Sequence, residues 1–238
     1  MAGWLHLTVP ATTLLDHGDR AGQLNKLGPV DAGLARTLAD KIAKNGQSTI
    51  CVTVTSPDGR PICHACGTPA RGDPARPASR RKHDPPGTSP PHDPVNPALT
   101  PLAPLTPGGP GGYGTWRLTY AGRDLDLHFE NLDGPCDHRH ESPGHDPGKL
   151  LRHLTAVLNQ DCTLRTCRTP EHQADYEHAI PWPQGRSCWC NGHPCCRHHH
   201  RNKQAPGWHV EGTGQPGYFT WTLPSGRTYQ SKPTSYPT

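Results

Sequence analysis

The stretch from Cys162 to Lys203, CTLRTCRTPEHQADYEHAIPWPQGRSCWCNGHPCCRHHHRNK, decides how this chain is read. Cys162 and Cys167 come first, and after a long gap follow Cys190, Cys195, Cys196, His198, His199 and His200. A tetrahedral zinc site needs four nitrogen or sulfur donors about 2.0–2.3 Å from one ion, arriving from different directions. Two ligand-bearing turns brought together across a hairpin meet that need, so the spacing predicts a structural zinc. Between them lie Asp175-Tyr176-Glu177-His178 and Pro181-Trp182. Successive side chains of an extended backbone point to opposite faces, so Glu177 and His178 cannot grip one ion in the same way. One is free to bind metal while its neighbour faces substrate.

The composition sets the frame around this stretch. Of 238 residues only 32% are apolar, Phe occurs twice, and there are 26 Gly and 29 Pro. Much of such a chain cannot bury enough surface to offset its ordering entropy. One large core is excluded, and small α+β modules joined by linker are expected. A net charge of +4 with 17 His suits a polyanion or a metal. The N-terminal MAGWLHLTVPATTLL has no basic start, and His6, Thr8, Pro10 and Thr12 interrupt its apolar residues, so it does not read as a signal peptide. No stretch approaches the roughly 20 apolar residues of a membrane span. The ten Cys are therefore expected as metal-bound or free thiols of a cytoplasmic protein with no membrane partner.

Residues 1–67 read as a small mixed unit. It opens with the strand LHLTV and a short helix over Thr12–Asp19. A helix over Asp31–Lys44 follows, with Asp31 as N-cap and Leu34, Leu38 and Ile42 on one face, then a strand over Thr49–Thr55 ending in the turn SPDGRP. Cys63 and Cys66 form a CxxC without two further ligands, read as a structural or incidental pair. Residues 68–112 hold 13 of the prolines and no hydrophobic periodicity, which predicts a disordered linker.

Residues 113–160 lead into the metal-rich stretch. Thr115–Tyr120 and Arg123–Phe129 alternate around Ala121-Gly122 as a hairpin. Asp146–Leu158 reads as a helix with Asp146 as N-cap, Pro147 in its first turn, and Leu150, Leu151, Leu154, Val157 and Leu158 buried. The intervening CDHRHE, Cys136–Glu141, has ligand residue types but lies in a Gly/Pro-rich loop and is read as loop. Cys188 and Cys190 are read as spare thiols, and Trp182, Trp208 and Trp221 as core.

Residues 161–230 resemble the HNH endonucleases, the His-Me finger or ββα-metal nucleases. The likeness is to the large paralogous bacterial family in which a domain of unknown function precedes a C-terminal HNH module. It rests on Cys162 and Cys167, on Arg168 and Pro170, on DxEHxxPW from Asp175 to Trp182, and on Asn191 followed by Cys196, His199, His200, Arg201 and Lys203. The tail, Gly207-Trp208 and GYFTWTLPSGRTY over Gly217–Tyr229, matches as paired strands around a Pro-Ser-Gly-Arg turn. A fainter likeness covers LHLTVPATTLL and GPVDAGLARTLA, as the end of the upstream domain, and implies a fragment of a longer protein.

The resemblance implies a zinc-stapled ββα-metal module with a trailing β-hairpin that hydrolyses phosphodiester bonds in DNA. His178 is then the general base. Glu177 and His200 hold one divalent ion (Mg, Mn or Ni), and Asn191 fixes the loop presenting His178. Cys162, Cys167, Cys196 and His199 form the structural zinc site, with Cys190 or His198 as alternative ligands. Arg197, Arg201 and Lys203, on or beside the metal-bearing helix, are candidates for phosphate contacts. Three departures stand out: Glu177 replaces the family's Asp, Ala174 replaces a Cys, and Gly192-His193-Pro194-Cys195 replaces an apolar run, which alters the second strand and the helix start. The alternatives are a zinc-stabilised nucleic-acid-binding module without catalysis and a disulfide-rich extracellular interaction protein.

Overall fold

The structure is a computed structural model that describes residues 7–24, 27–45, 48–67, 98–101, 114–121 and 123–237. In chain order the elements are β1 (Leu7–Thr8), α1 (Ala11–Leu14), β2 (Gly22–Leu24), β3 (Gly28–Val30), α2 (Ala32–Lys44), β4 (Ile50–Thr55), β5 (Pro61–Gly67) and β6 (Ala98–Pro101). There follow β7 (Thr115–Tyr120), β8 (Arg123–His128), β9 (Glu130–Asn131), α3 (Lys149–Leu158), β10 (Ala174–His178), β11 (Gly192–Cys196), α4 (Arg197–Lys203), β12 (His209–Gly212), β13 (Phe219–Thr222) and β14 (Thr228–Ser231). The chain is thus mixed α+β with small sheets. It divides into two compact units, residues 1–52 with 65–130 and residues 53–64 with 131–238.

In the first unit, β1, β2 and β3 form one antiparallel sheet. Asp31 caps α2 as expected, its Oδ1 accepting from the Leu34 amide at 2.9 Å. The buried face of α2 differs from the expected one: Ala32, Ala35 and Ala43 are buried, while Leu34 is exposed. A Cβ on Gly22 would lie 2.9 Å from that of Ala35, an approach only small residues permit. The hairpin of β7 and β8 forms in the expected register, Thr115 opposite His128 and Tyr120 opposite Arg123. It groups with the first unit. Four residues of the expected linker, 98–101, form β6 and pair with β7; residues 68–97 and 102–112 lie outside the described residues. Cys66 is joined to Cys51 by a disulfide and does not pair with Cys63.

In the second unit two apolar clusters carry the fold. Leu132, Leu151, Leu154, Val157, Leu158 and Trp189 gather around α3. Leu164, Val210, Phe219 and Trp221 gather between the β12–β13–β14 sheet and the Cys162 turn. Helix α3 starts at Lys149 after Gly148, later than the Asp146 start expected, and leaves Leu150 exposed while its other leucines are buried. The tail adds β12 to the expected hairpin of β13 and β14. Trp221 is buried and Trp208 packs against its cluster, but Trp182 is exposed, not core.

Candidate metal and phosphodiester site

Strands β10 and β11 pair antiparallel, with Ala174 opposite Cys196 and His178 opposite Gly192, and β11 runs directly into α4. The strand survives the Gly192–Cys195 departure for local reasons. A Cβ on Gly192 would collide with the Tyr176 ring, so glycine makes room for that ring, whose hydroxyl donates to the Cys188 carbonyl at 3.0 Å. Pro194 lacks an N–H, which a two-stranded sheet tolerates on an edge strand. His193 is fully buried where an apolar residue was expected, its ring against Phe219 and Trp221 and its Nδ1 bonded to Thr163 Oγ1 at 2.7 Å. Burial pushes its pKa down to about 3, so it sits there as a neutral ring.

The turn at Cys162–Cys167 and the β11–α4 junction bring Cys162, Cys167, Cys196 and His199 together, their ligand atoms all within 4.8 Å of one another. His199 Nδ1 lies 3.4 Å from Cys162 Sγ and 3.2 Å from Cys196 Sγ, and Cys167 Sγ lies 3.9 Å from Cys196 Sγ. In tetrahedral zinc the S···S and S···N edges are about 3.8 and 3.5 Å from the usual bond lengths. The group could hold a structural metal such as zinc. Cys195 is buried and, through its side-chain hydrogen bond, draws the Cys162 thiol down to about 4 against the opposing effect of burial. Cys190 and His198 lie outside this group.

On one face of β10, Asp175 and Glu177 meet His200 of α4. His200 Nε2 is 2.9 Å from Glu177 Oε2, and its Nδ1 is 3.2 Å from Asp175 Oδ2. Lys203 Nζ donates to Glu177 Oε1 at 2.7 Å and also to the His178 carbonyl. With a side chain only 9% exposed, Lys203 is an inward ion-pair partner and not the phosphate-facing cation expected. Arg197 is exposed and bonds Asp175 Oδ1 at 3.1 Å, and Arg201 is exposed.

His178 points to the other face and is only 4% exposed. Its Nε2 lies 2.8 Å from Ser187 Oγ, which donates to the carbonyls of Gly144 and His145 at 2.7 and 2.8 Å. A hydroxyl has one proton. With that proton directed at the carbonyls, Ser187 accepts from His178, which places the ring proton on Nε2 and the lone pair on Nδ1. Burial first, then the nearby His145, lowers the His178 pKa and favours the neutral ring. Asn191 bonds the preceding loop: its Oδ1 accepts from the Ile180 amide at 2.8 Å, and its Nδ2 donates to the carbonyls of Ile180 and Arg186, both at 3.0 Å.

Two clefts flank these groups. One of about 450 Å³ lies against Lys203, lined among others by Ile180, Pro181, Trp208 and Glu211. The other, about 380 Å³, is walled by Lys149, Arg152, His153 and His172 beside Asp175 and Tyr176. Among the described residues no helix is long and apolar enough to cross a membrane. Cys136 and His138 of CDHRHE, read from sequence as loop, fold against Cys188 and Cys190, read as spare thiols. The CxH and CxC spacings were the signal available.

Two uncharacterized proteins of Mycobacterium tuberculosis are similar to the chain. Rv3776 is 31% identical over 102 residues, which is 42% of this chain and 19% of the relative. Rv2100 is 31% identical over 94 residues, 39% of this chain and 17% of the relative. The chain therefore spans less than a fifth of the length of these curated relatives. No family model matches the chain, and no solved structure matches it.

Proposed function

We propose that residues 161–230 form an HNH-type, metal-dependent nuclease module that hydrolyses phosphodiester bonds in DNA, with Cys162, Cys167, Cys196 and His199 holding a structural zinc. The observation that carries this reading is the 2.9 Å approach of His200 Nε2 to Glu177 Oε2, side chains from separate elements, beside a histidine on the opposite face of the same strand. Two donors each about 2.1 Å from an octahedral ion sit about 3 Å apart, so the pair fits one divalent ion. Asp175 on His200 Nδ1 is the outer partner that orients a ligating imidazole and leaves Nε2 free to bind. When bound, the ion supplies charge neutralisation at a phosphate.

The chain's own residues supply the rest. Ser187 holds the His178 ring so that Nδ1 bears the lone pair that takes a proton from water. Asn191 closes the loop from Ile180 to Arg186, which fixes the strand end carrying His178. Lys203 neutralises one oxygen of Glu177. Arg197 and Arg201, both exposed, offer charge to backbone phosphates.

A second reading, a zinc-stabilised nucleic-acid-binding module without cleavage, is favoured by one observation: His178 is only 4% exposed, bonded to Ser187 and with the His145 ring 5.2 Å away. A plasmid assay separates the two. With Mg²⁺, Mn²⁺ or Ni²⁺ added, supercoiled DNA is expected to be nicked by the wild type and spared by H178A at unchanged zinc content, a loss of about 10²–10⁴-fold. DNA that is shifted on a gel yet never nicked by the wild type selects the second reading.

A further inference from the structure

We propose that Cys136, His138, Cys188 and Cys190 form a second tetrahedral metal site, a Cys3His zinc site separate from the group at Cys162. Their ligand atoms lie within 4.8 Å of one another. Cys136 Sγ is 3.3 Å from Cys188 Sγ and 3.8 Å from His138 Nδ1, and Cys188 Sγ is 3.5 Å from His138 Nδ1. These separations bracket the edges of about 3.5 and 3.8 Å that three sulfurs and one imidazole describe around zinc.

The two halves come from distant parts of the second unit, a CxH turn at 136–138 and a CxC turn at 188–190. His138 takes φ 60°, the left-handed region that a non-glycine residue seldom adopts, and this folds its ring back toward Cys136. Cys136 sulfur also accepts hydrogen bonds from the buried indole N–H of Trp189 at 2.7 Å and from the His138 amide at 3.4 Å. Donors aimed at a sulfur in this way stabilise thiolate charge, as outer partners of a metal-bound ligand do. A Cys136–Cys188 disulfide would use two of the sulfurs and leave a third thiol and an imidazole beside it. One Zn²⁺ engages all four, and each ligating thiol passes its proton to solvent.

The site fastens the 131–142 segment to the loop between β10 and β11. That loop carries Ser187, which holds His178, and Asn191. Leu132 and Trp189 beside it belong to the apolar cluster around α3. So small a core gains from such a staple, and the site stands whether or not the chain cuts DNA.

The test is metal stoichiometry of the purified full chain. Two zinc per chain are expected, falling to one in C136S or C190S, to one in C162S, and to none in C136S/C162S. A zinc content that C136S and C190S leave at the wild-type value overturns the proposal, whatever C162S does to it. Alkylation of the zinc-loaded wild type guards against variants that fail to fold. Cys136 and Cys190 are expected to resist iodoacetamide until a chelator is added. Full-rate labelling before chelation, or recovery of either residue in a disulfide from freshly purified protein, overturns it.

Discussion

Ser187 Oγ sits 2.8 Å from His178 Nε2 and spends its own proton on the carbonyls of Gly144 and His145, so one buried hydroxyl fixes the tautomer of the histidine. S187A is expected to leave the buried Nε2–H without an acceptor and to cost about 1–3 kcal/mol. Urea denaturation reads that cost, and ¹⁵N chemical shifts of the His178 ring are expected to move toward a mixture of tautomers. Unchanged ring shifts in a folded S187A protein contradict the assignment.

Lys203 and Glu177 form a pair whose side chains are 9% and 10% exposed. Breaking such a pair from one side costs about 3–5 kcal/mol because the other charge stays buried. K203M is expected to lose that much without added divalent ion, and to recover part of it with Mn²⁺ if Glu177 and His200 bind the ion. Thermal melts of wild type and K203M with and without Mn²⁺ measure the difference. A K203M melt indifferent to Mn²⁺ argues against metal at Glu177.

His193 makes acid stability titratable. Its folded pKa is pushed down to about 3 by burial, against about 6.5 unfolded. The folded state therefore binds fewer protons. The His193 contribution is complete above pH 6.5 and is lost as pH falls toward 3, by about 1.4 kcal/mol per pH unit. H193F keeps an aromatic ring beside Phe219 and Trp221, and its stability is expected to fall less steeply between pH 6.5 and 4 in matched urea titrations. Parallel slopes exclude His193 as a source of the acid sensitivity.

The Cys51–Cys66 disulfide closes a sequence separation of 15 residues, worth about 3 kcal/mol on loop-closure grounds. Denatured, chelated protein without reductant is expected to titrate eight thiols, and ten after reduction. Ten before reduction means that Cys51 and Cys66 are held some other way.

Local chemistry was legible wherever one residue type answers one backbone need. Asp31 caps α2, the alternation around Ala121 gives the β7–β8 hairpin, and the spacing of Cys162, Cys167, Cys196 and His199 anticipates their convergence. Periodicity named the apolar residues of α2 and α3 but not the faces they bury. Gly22 against Ala35 and the late start of α3 are outcomes of packing, and they leave Leu34 and Leu150 exposed.

The sequence by itself determined the ligand-rich turns and the strand carrying Glu177 and His178 on opposite faces, since each depends on neighbours within a few bonds or one hairpin. Only the tertiary structure decided that Lys203 turns inward, that Ser187 holds His178, and that Cys136 and His138 meet Cys188 and Cys190. In the case of the cysteines those meetings join segments 50 to 52 residues apart, and proximity across such loops follows from which apolar faces pack, a property no local spacing encodes.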